Sequence, residues 1–182
     1  NMDDDHASYR ELVVKLETRF GRKIAPFQLP IRENEKFVGF VNVVKMAGRR
    51  FTELSDYVEC EIPEYVEKNL TIARDALIEA VAETNEEYME RYFLGEEFTQ
   101  EEISTALREH VIEGEIVPVM MGSGINCQGF KVLLQSIDKY FPSPDHFECI
   151  GVDVSTGERF TAKYNDDVSL SARVFKTIVD PF

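Results

Sequence analysis

The chain has 182 residues, and 43% of them are apolar, which is enough to bury the core of one ordinary domain or of two small ones. Its 34 acidic residues outnumber its 20 basic ones, so nucleic-acid phosphates and anionic membranes would repel it, and we expect a basic protein surface as its direct partner. The three cysteines lack metal-ligand spacing and no apolar run is long enough to span a bilayer, so we expect a cytoplasmic protein with reduced thiols, neither secreted nor membrane-bound.

The first sixty or so residues predict a helix followed by a small sheet. Apolar positions recur at helical spacing across residues 7–20, and Gly21 follows where a C-cap glycine would lie. Strands are predicted at residues 27–31 and 37–47, with Gly48 as the turn signal. Strand character continues over residues 57–62.

The middle of the chain predicts helices. An apolar set with helical period runs from Pro63 towards Gly95, with a break near Thr84 and Asn85, where helix propensity is low. A further helix is predicted to start at Thr99, with Glu102 placed for a capping box, and to end at Gly114.

The last third predicts a strand, a glycine-rich loop and a helix. Residues 116–121 are typical of a strand buried on both faces of a parallel sheet, and residues 129–141 have helical spacing up to Pro142. Two more strands are predicted at 159–164 and 172–178, separated by a polar turn at 165–167. The pattern predicts an α/β chain with α+β character.

Few residues are placed for chemistry. The sequence contains neither GxxxxGK[ST] nor GxGxxG, so no loop predicts a phosphate cradle. His6, His110 and His146 are isolated from one another, so we expect no metal ligand. Ser123 follows a short strand, but GxSxG is not matched, which favours a surface loop serine over a nucleophile. No catalytic residue is predicted.

The most distinctive feature is an acidic stretch with Arg91 as its single cation. The carboxylates that we select from it are Glu79, Glu83, Glu86, Glu87 and Glu90. Spacings of four, three and four residues predict that four of them share one helical face, where like charges repel by roughly a few tenths of a kcal/mol per pair. The pattern alone favours a solvated face. The alternative is a dock for a lysine-rich partner, which steers association and weakens with salt.

Several segments resemble bacterial elongation factor G, a family of translational GTPases, and occur in the family's order across nearly the whole chain. They are QLPI (28–31), FVGFV (37–41), VKM (44–46), LIEAVAE (77–83), MERY (89–92), GEEFT (95–99), VMMGS (119–123), YFPSP (140–144) and VFKTIVDPF (174–182). Each segment alone is weak, and their joint order is what makes the resemblance specific.

The resemblance implies a partial guanine site. Asn1, Met2 and Asp3 match the end of the family's Asn-Lys-x-Asp motif without its lysine, and Asp3 matches the residue that pairs with the guanine edge. Ser123 and the N–H of residue 124 match the second guanine contact. The family usually has alanine where this chain has Gly124, which would loosen the loop. GTP is thus expected for the intact parent. For this segment alone we expect weak binding or none, and no hydrolysis, since the phosphate-binding loop and catalytic histidine of the family would lie upstream.

The resemblance also implies the domain organisation and the partners. Residues 1–20 and 116–142 match the end of a GTPase-domain sheet. Residues 21–115 match an inserted subdomain, a small sheet packed with long helices, and residues 143–182 match a linker and the first strands of a β-barrel domain. In the family the insert contacts the lysine-bearing C-terminal domain of the ribosomal stalk protein. The ribosome is therefore the expected partner, with no direct nucleic-acid contact, and the acidic stretch is then better explained as a dock.

Two alternatives stay open. One is a stand-alone acidic protein-interaction module without a nucleotide. The other, within the same family, is a fragment of a ribosomal protection GTPase of the tetracycline-resistance type or of a divergent second copy of the factor, since residues 32–34 and 46–50 differ from the housekeeping pattern.

Overall fold

A computed structural model of the chain describes residues 1–4, 6–21, 23–53, 55–162, 172 and 174–179. Helices and strands are mixed along the chain, and the fold is α/β as expected. The chain forms two compact units, Asn1–Phe141 and Pro142–Phe182. Within the described ranges, no helix combines the length and the apolar composition needed to cross a membrane.

The first unit begins with the predicted helix, α1 (Tyr9–Phe20), which ends at Gly21 with φ 80°. Strand β1 (Ile24–Pro26) pairs in parallel with β6 (Val117–Val119), and helix α5 (Phe130–Tyr140) follows. The predicted strand, loop and helix are confirmed. The strand is shorter than the predicted 116–121, and it is not buried on both faces, since Val117 is 38% exposed. Among the described strands, β1 is its one neighbour.

Along the chain, a four-stranded antiparallel sheet follows β1 and precedes the helices of the middle region. Its strands, which pair in sequence order, are β2 (Gln28–Glu33), β3 (Lys36–Asn42), β4 (Ala47–Phe51) and β5 (Tyr57–Cys60).

The prediction of one strand over residues 37–47 is wrong, because the chain turns at residues 43–46, where Met46 has φ 53°. Gly48 does not form the turn. It lies in β4 opposite Cys60, and a Cβ there would approach the Cys60 carbonyl oxygen to 2.5 Å. The close approach of two strand backbones therefore explains this glycine.

Three helices follow: α2 (Glu64–Ala82), α3 (Glu86–Phe93) and α4 (Gln100–Glu113). The predicted break near Asn85 is confirmed. The predicted capping box is also confirmed, since the Thr99 hydroxyl accepts the Glu102 N–H at 3.2 Å and the Glu102 carboxylate accepts the Thr99 N–H at 2.7 Å. Gly114 ends α4 in the left-handed conformation.

One cluster of buried side chains runs through the first unit. It includes Phe27, Val41, Leu77, Leu107 and Tyr140, so strand, helix and loop residues from both ends of the unit contribute. The rings of Phe27 and Tyr140 meet edge to face with centroids 5.3 Å apart. Because this core is continuous, the inserted subdomain at 21–115 stays an assignment made by resemblance.

The second unit contains a 3₁₀ turn (Pro144–His146) and the antiparallel strands β7 (Cys149–Val152) and β8 (Arg159–Ala162). The strand predicted at 159–164 is confirmed up to Ala162, and the predicted turn at 165–167 lies outside the described residues. Of the strand predicted at 172–178, the described residues 172 and 174–178 adopt no strand conformation. A strand requires a neighbour for its ladder hydrogen bonds, and none of the described strands supplies one there.

Candidate functional site

The N-terminal segment lies against the loop that follows β6. The Met2 N–H donates a hydrogen bond to the Gly122 carbonyl oxygen at 3.0 Å. The Met2 side chain is buried in a cluster with Phe37 and Met121. These contacts bring Asp3 beside Ser123, although the two residues lie at opposite ends of the first unit in sequence.

Ser123 is held inside its loop. The residue is 1% exposed, and its backbone N–H and carbonyl oxygen both bond to Gln128 at 3.0 Å. Its hydroxyl oxygen accepts a hydrogen bond from the Asn126 N–H at 3.1 Å. The expectation of a surface loop serine is therefore wrong, because the pairing with Gln128 turns this side chain inward.

The Asp3 carboxyl group is half-buried and ionised. The neighbouring Ser123 hydroxyl, followed by a backbone N–H, holds the pKa of Asp3 below its usual 3.8, against the opposing effect of burial. Asp3 Oδ1 is buried and has no hydrogen-bond partner within the described part of the chain. A buried acceptor without a donor is costly, so a donor that reaches this oxygen would be favoured.

Gly124 is not required by the geometry of the loop. Its φ lies outside the left-handed region, and a Cβ there would meet no atom within 4 Å. A Cβ on Gly122 would instead lie 2.6 Å from the Gln128 carbonyl oxygen. Gly122 and Gly124 therefore differ: of these two, Gly122 is the one needed for close backbone approach.

A buried glutamine fixes this loop to the rest of the unit. Gln28 is 1% exposed, and its Oε1 accepts the Met121 N–H at 3.0 Å. The Gln28 carbonyl oxygen accepts a hydrogen bond from the Tyr9 hydroxyl at 2.7 Å. Burial, with the charge of Glu17, raises the pKa of Tyr9, so the hydroxyl remains a donor. Sequence reasoning used Gln28 as part of a motif and missed this role, which only its unusual position among apolar residues could have indicated.

The five predicted partner-binding carboxylates are exposed but do not share one helical face. Glu79 lies at the end of α2 and Glu83 caps it, whereas Glu86, Glu87 and Glu90 belong to α3. The prediction of one face is wrong, because the Asn85 side chain accepts the Tyr88 N–H at 2.8 Å and begins a separate helix.

Glu79 and Glu83 are among the residues that line an open groove of about 1110 Å³ between α1 and α2. The groove is lined mainly by apolar side chains of these helices and of β1 and β2, and it contains none of the three predicted nucleotide-binding residues. Two of the acidic residues are thus part of a groove that is separate from the loop of Ser123.

Arg91 holds α3 in place. Its guanidinium contacts the Glu102 carboxylate at 2.7 Å and the Glu96 carboxylate at 3.3 Å. The same group lies over the rings of Tyr88 and Phe98, at 5.6 and 5.0 Å from their centroids. The one cation of the acidic stretch therefore joins α3 to the start of α4.

Three side chains meet at the end of α4, where we expected no metal ligand. Ligand atoms of His110, Glu113 and Glu115 lie within 4.8 Å of one another. His110 Nδ1 is 2.5 Å from a Glu115 carboxylate oxygen, which forms an ion pair when the imidazole is protonated. This contact at a helix C-terminus explains the arrangement without an ion.

Comparison with solved structures finds a similar protein. No protein-family model matches the chain. The chain is similar to the crystal structure of a protein from Thermus thermophilus, with 33% identical residues and a TM-score of 0.70. The similarity covers 79% of this chain and 21% of the Thermus chain. This chain therefore spans about a fifth of the length of that protein.

We predict opposite effects for two alanine substitutions in the loop. Gly124→Ala should stabilise the protein by roughly 0.4–1 kcal/mol, because alanine fits the native backbone and restricts the unfolded chain. Gly122→Ala, the matched control, should destabilise it by roughly 1–3 kcal/mol, because its methyl group meets a backbone carbonyl. Urea unfolding followed by circular dichroism measures both. Equal effects would contradict the loop geometry described above.

We also predict a pH-dependent contribution from Glu102. Arg91, followed by the Thr99 backbone and hydroxyl, lowers the pKa of Glu102 from 4.5 to about 2. The ionised carboxylate therefore stabilises the fold above pH 4.5, and this stabilisation is lost as the pH falls through about 2. Glu102→Gln should lower the Tm at pH 7, and the difference from wild type should shrink below pH 4.5 and vanish near pH 2.

Glu101→Gln is the matched control for Glu102→Gln, since it removes the neighbouring exposed carboxylate of the same helical turn. It should leave the Tm nearly unchanged across this pH range. If Glu102→Gln instead lowers the Tm as much near pH 2 as at pH 7, the ion pair between Arg91 and Glu102 is excluded as the cause.

Proposed function

We propose that this chain is a segment of a translational GTPase of the elongation factor G type, which binds and hydrolyses GTP to drive ribosomal translocation. In this proposal the segment supplies part of the guanine pocket and a docking surface for the ribosomal stalk protein. The single observation that carries the nucleotide role is the ionised Asp3 carboxylate beside the loop of Ser123 and Gly124, with one oxygen buried and unpaired among the described residues.

The chemistry of this carboxylate fits guanine. An ionised carboxylate accepts hydrogen bonds only, and guanine presents two adjacent donors, N1–H and its 2-amino group. Charge-assisted hydrogen bonds of this kind are stronger than neutral ones. Adenine presents no such pair of donors on that edge. Asp3 Oδ1, which has no partner among the described residues, therefore supports recognition of guanine over adenine, with Ser123 beside the carboxylate.

Asp3, Ser123 and Gly124 have no proposed role in binding or cleaving the phosphates. The sequence lacks a phosphate-binding loop motif, and the chain spans about a fifth of the similar Thermus protein. Binding energy from the phosphates would have to come from other parts of the intact parent. For this chain we expect base recognition of low affinity.

The first test asks whether a substitution of Asp3 changes the preferred base from guanine to xanthine. Asp3→Asn replaces one acceptor with an amide donor, so the variant should bind xanthosine monophosphate better than guanosine monophosphate, opposite to wild type. Loss of the charge-assisted pair should lower guanine affinity about tenfold or more. NMR titration of the isotope-labelled chain, read at the Ser123 and Gly124 amides, measures the change.

Asp4→Asn is the matched control, because Asp4 is the exposed neighbour and accepts a backbone hydrogen bond from His6 that asparagine retains. It should titrate like wild type. If Asp3→Asn and Asp4→Asn keep the same preference for the guanine nucleotide, Asp3 does not read the base.

The docking role is supported by charge. Among the described residues, no salt bridge involves any of the carboxylates Glu79, Glu83, Glu86, Glu87 and Glu90. They are exposed near the end of α2, whose last turn carries no basic residue to offset the negative end of the helix. The resulting negative potential favours association with a lysine-rich surface and is screened by salt.

The second test reverses two of these charges. Glu83→Lys together with Glu87→Lys should weaken binding to a bacterial stalk-protein C-terminal domain on the order of tenfold at low salt, and less at moderate salt, because steering is lost. The matched control, Glu148→Lys with Glu158→Lys, makes the same change in net charge on exposed residues of the second unit. Equal weakening by both pairs would indicate net charge alone, without a dock.

A further inference from the structure

Helix α3 exposes two large apolar side chains at its end. Phe93 is 78% exposed and Leu94 is 76% exposed, and no residue of α3 is fully buried. Side chains three, four and seven positions apart share a helix face. Glu86, Glu90 and Phe93 therefore follow one line along α3, and Glu87 and Leu94 lie on the next. The outer face of α3 runs from carboxylates to an apolar tip.

The apolar tip is not needed to hold α3 in the fold. Arg91 and the Asn85 cap fix the helix from its inner side, through Glu102, Tyr88 and Phe98. The Phe93 ring meets the ring of its neighbour Tyr92, at a centroid distance of 5.9 Å. Phe93 and Leu94 are thus held on an ordered helix while most of their surface meets water, and a partner need not order them on binding.

An aromatic and an aliphatic side chain flanked by charges match the apolar centre and polar rim of an interface. Interfaces typically have an apolar centre within a polar rim, and a few buried aromatic anchors carry most of the binding energy. Along the chain the flanking charges are mainly carboxylates: Glu86, Glu87 and Glu90 precede the pair and Glu97 follows it, while Glu96 is paired with Arg91. Charge complementarity therefore selects a partner surface that has an apolar pocket rimmed by lysine or arginine.

We propose that Phe93 and Leu94 are the anchor residues of the stalk-docking surface and insert into an apolar pocket on the basic partner. This inference rests on the proposed docking function and assigns different roles in binding to two kinds of residue. The carboxylates raise the association rate by steering, whereas the two apolar side chains determine how long the complex lasts.

The test separates the two rate constants. A bacterial stalk-protein C-terminal domain is immobilised, and wild type, Phe93→Ala with Leu94→Ala, and Glu86→Gln with Glu90→Gln are passed over it at two salt concentrations. The double alanine variant should dissociate at least about tenfold faster, with an association rate close to that of wild type. The double glutamine variant should mainly associate more slowly, and its difference from wild type should shrink with salt.

Phe147→Ala is the matched control, since it removes a phenylalanine that is also largely exposed but lies in the second unit. It should bind like wild type, and circular dichroism should show that all variants are folded. If the double alanine variant dissociates at the wild-type rate while the glutamine variant still associates slowly, the anchor role is wrong and docking by charge stands. If the wild-type chain does not bind at low salt, the proposed docking function itself fails.

Discussion

The first unit depends on the return of the chain from β6 to β1, which Gln28 fixes from inside the core. Ile24–Pro26 pairs in parallel with Val117–Val119, so the intervening sheet and three helices close on one short two-stranded contact. Next to it, Gln28 accepts hydrogen bonds from Met121 and Tyr9. An unmade bond at such a buried site costs about 1–3 kcal/mol, so these two bonds strongly favour one arrangement of the loop. The position of the Ser123 loop beside Asp3 follows from it.

The two proposed surfaces differ in physical character. The proposed guanine contact at Asp3 is small and partly buried. It is also directional, because one carboxylate oxygen, unpaired among the described residues, accepts donors only in a suitable geometry. The proposed docking surface is exposed. Its carboxylates act together through their summed negative electrostatic potential, which does not depend on the direction of approach as a hydrogen bond does. Phe93 and Leu94 would add shape to that second surface. Because the two surfaces share no residue, a failure of either proposal leaves the other standing.

Local signals in the sequence predicted what local interactions decide. The capping box of Thr99 and Glu102, the glycine ends of α1 and α4 and the break at Asn85 all depend on residues within one or two turns. Some features were missed although local contacts decide them. The Asn85 cap that marked the break also separates the glutamates into two helices, and the burial of Ser123 accompanies its bonds to Gln128 within the same loop. The place of Gly48 depends instead on pairing between strands, because it lies against the Cys60 backbone. The role of Asp3 was predicted through resemblance alone. That its Oδ1 is buried without a partner among the described residues is visible only once both ends of the unit are brought together.

The most direct measurement is saturation-transfer NMR of the chain with guanosine, inosine and adenosine monophosphates at equal concentrations. Inosine keeps the N1–H of guanine and lacks its 2-amino group, and adenine lacks both donors. If Asp3 accepts both donors, saturation transfer should be strongest for the guanine nucleotide, weaker for the inosine nucleotide and absent for the adenine nucleotide. Equal transfer to all three nucleotides would contradict a base-reading role for Asp3.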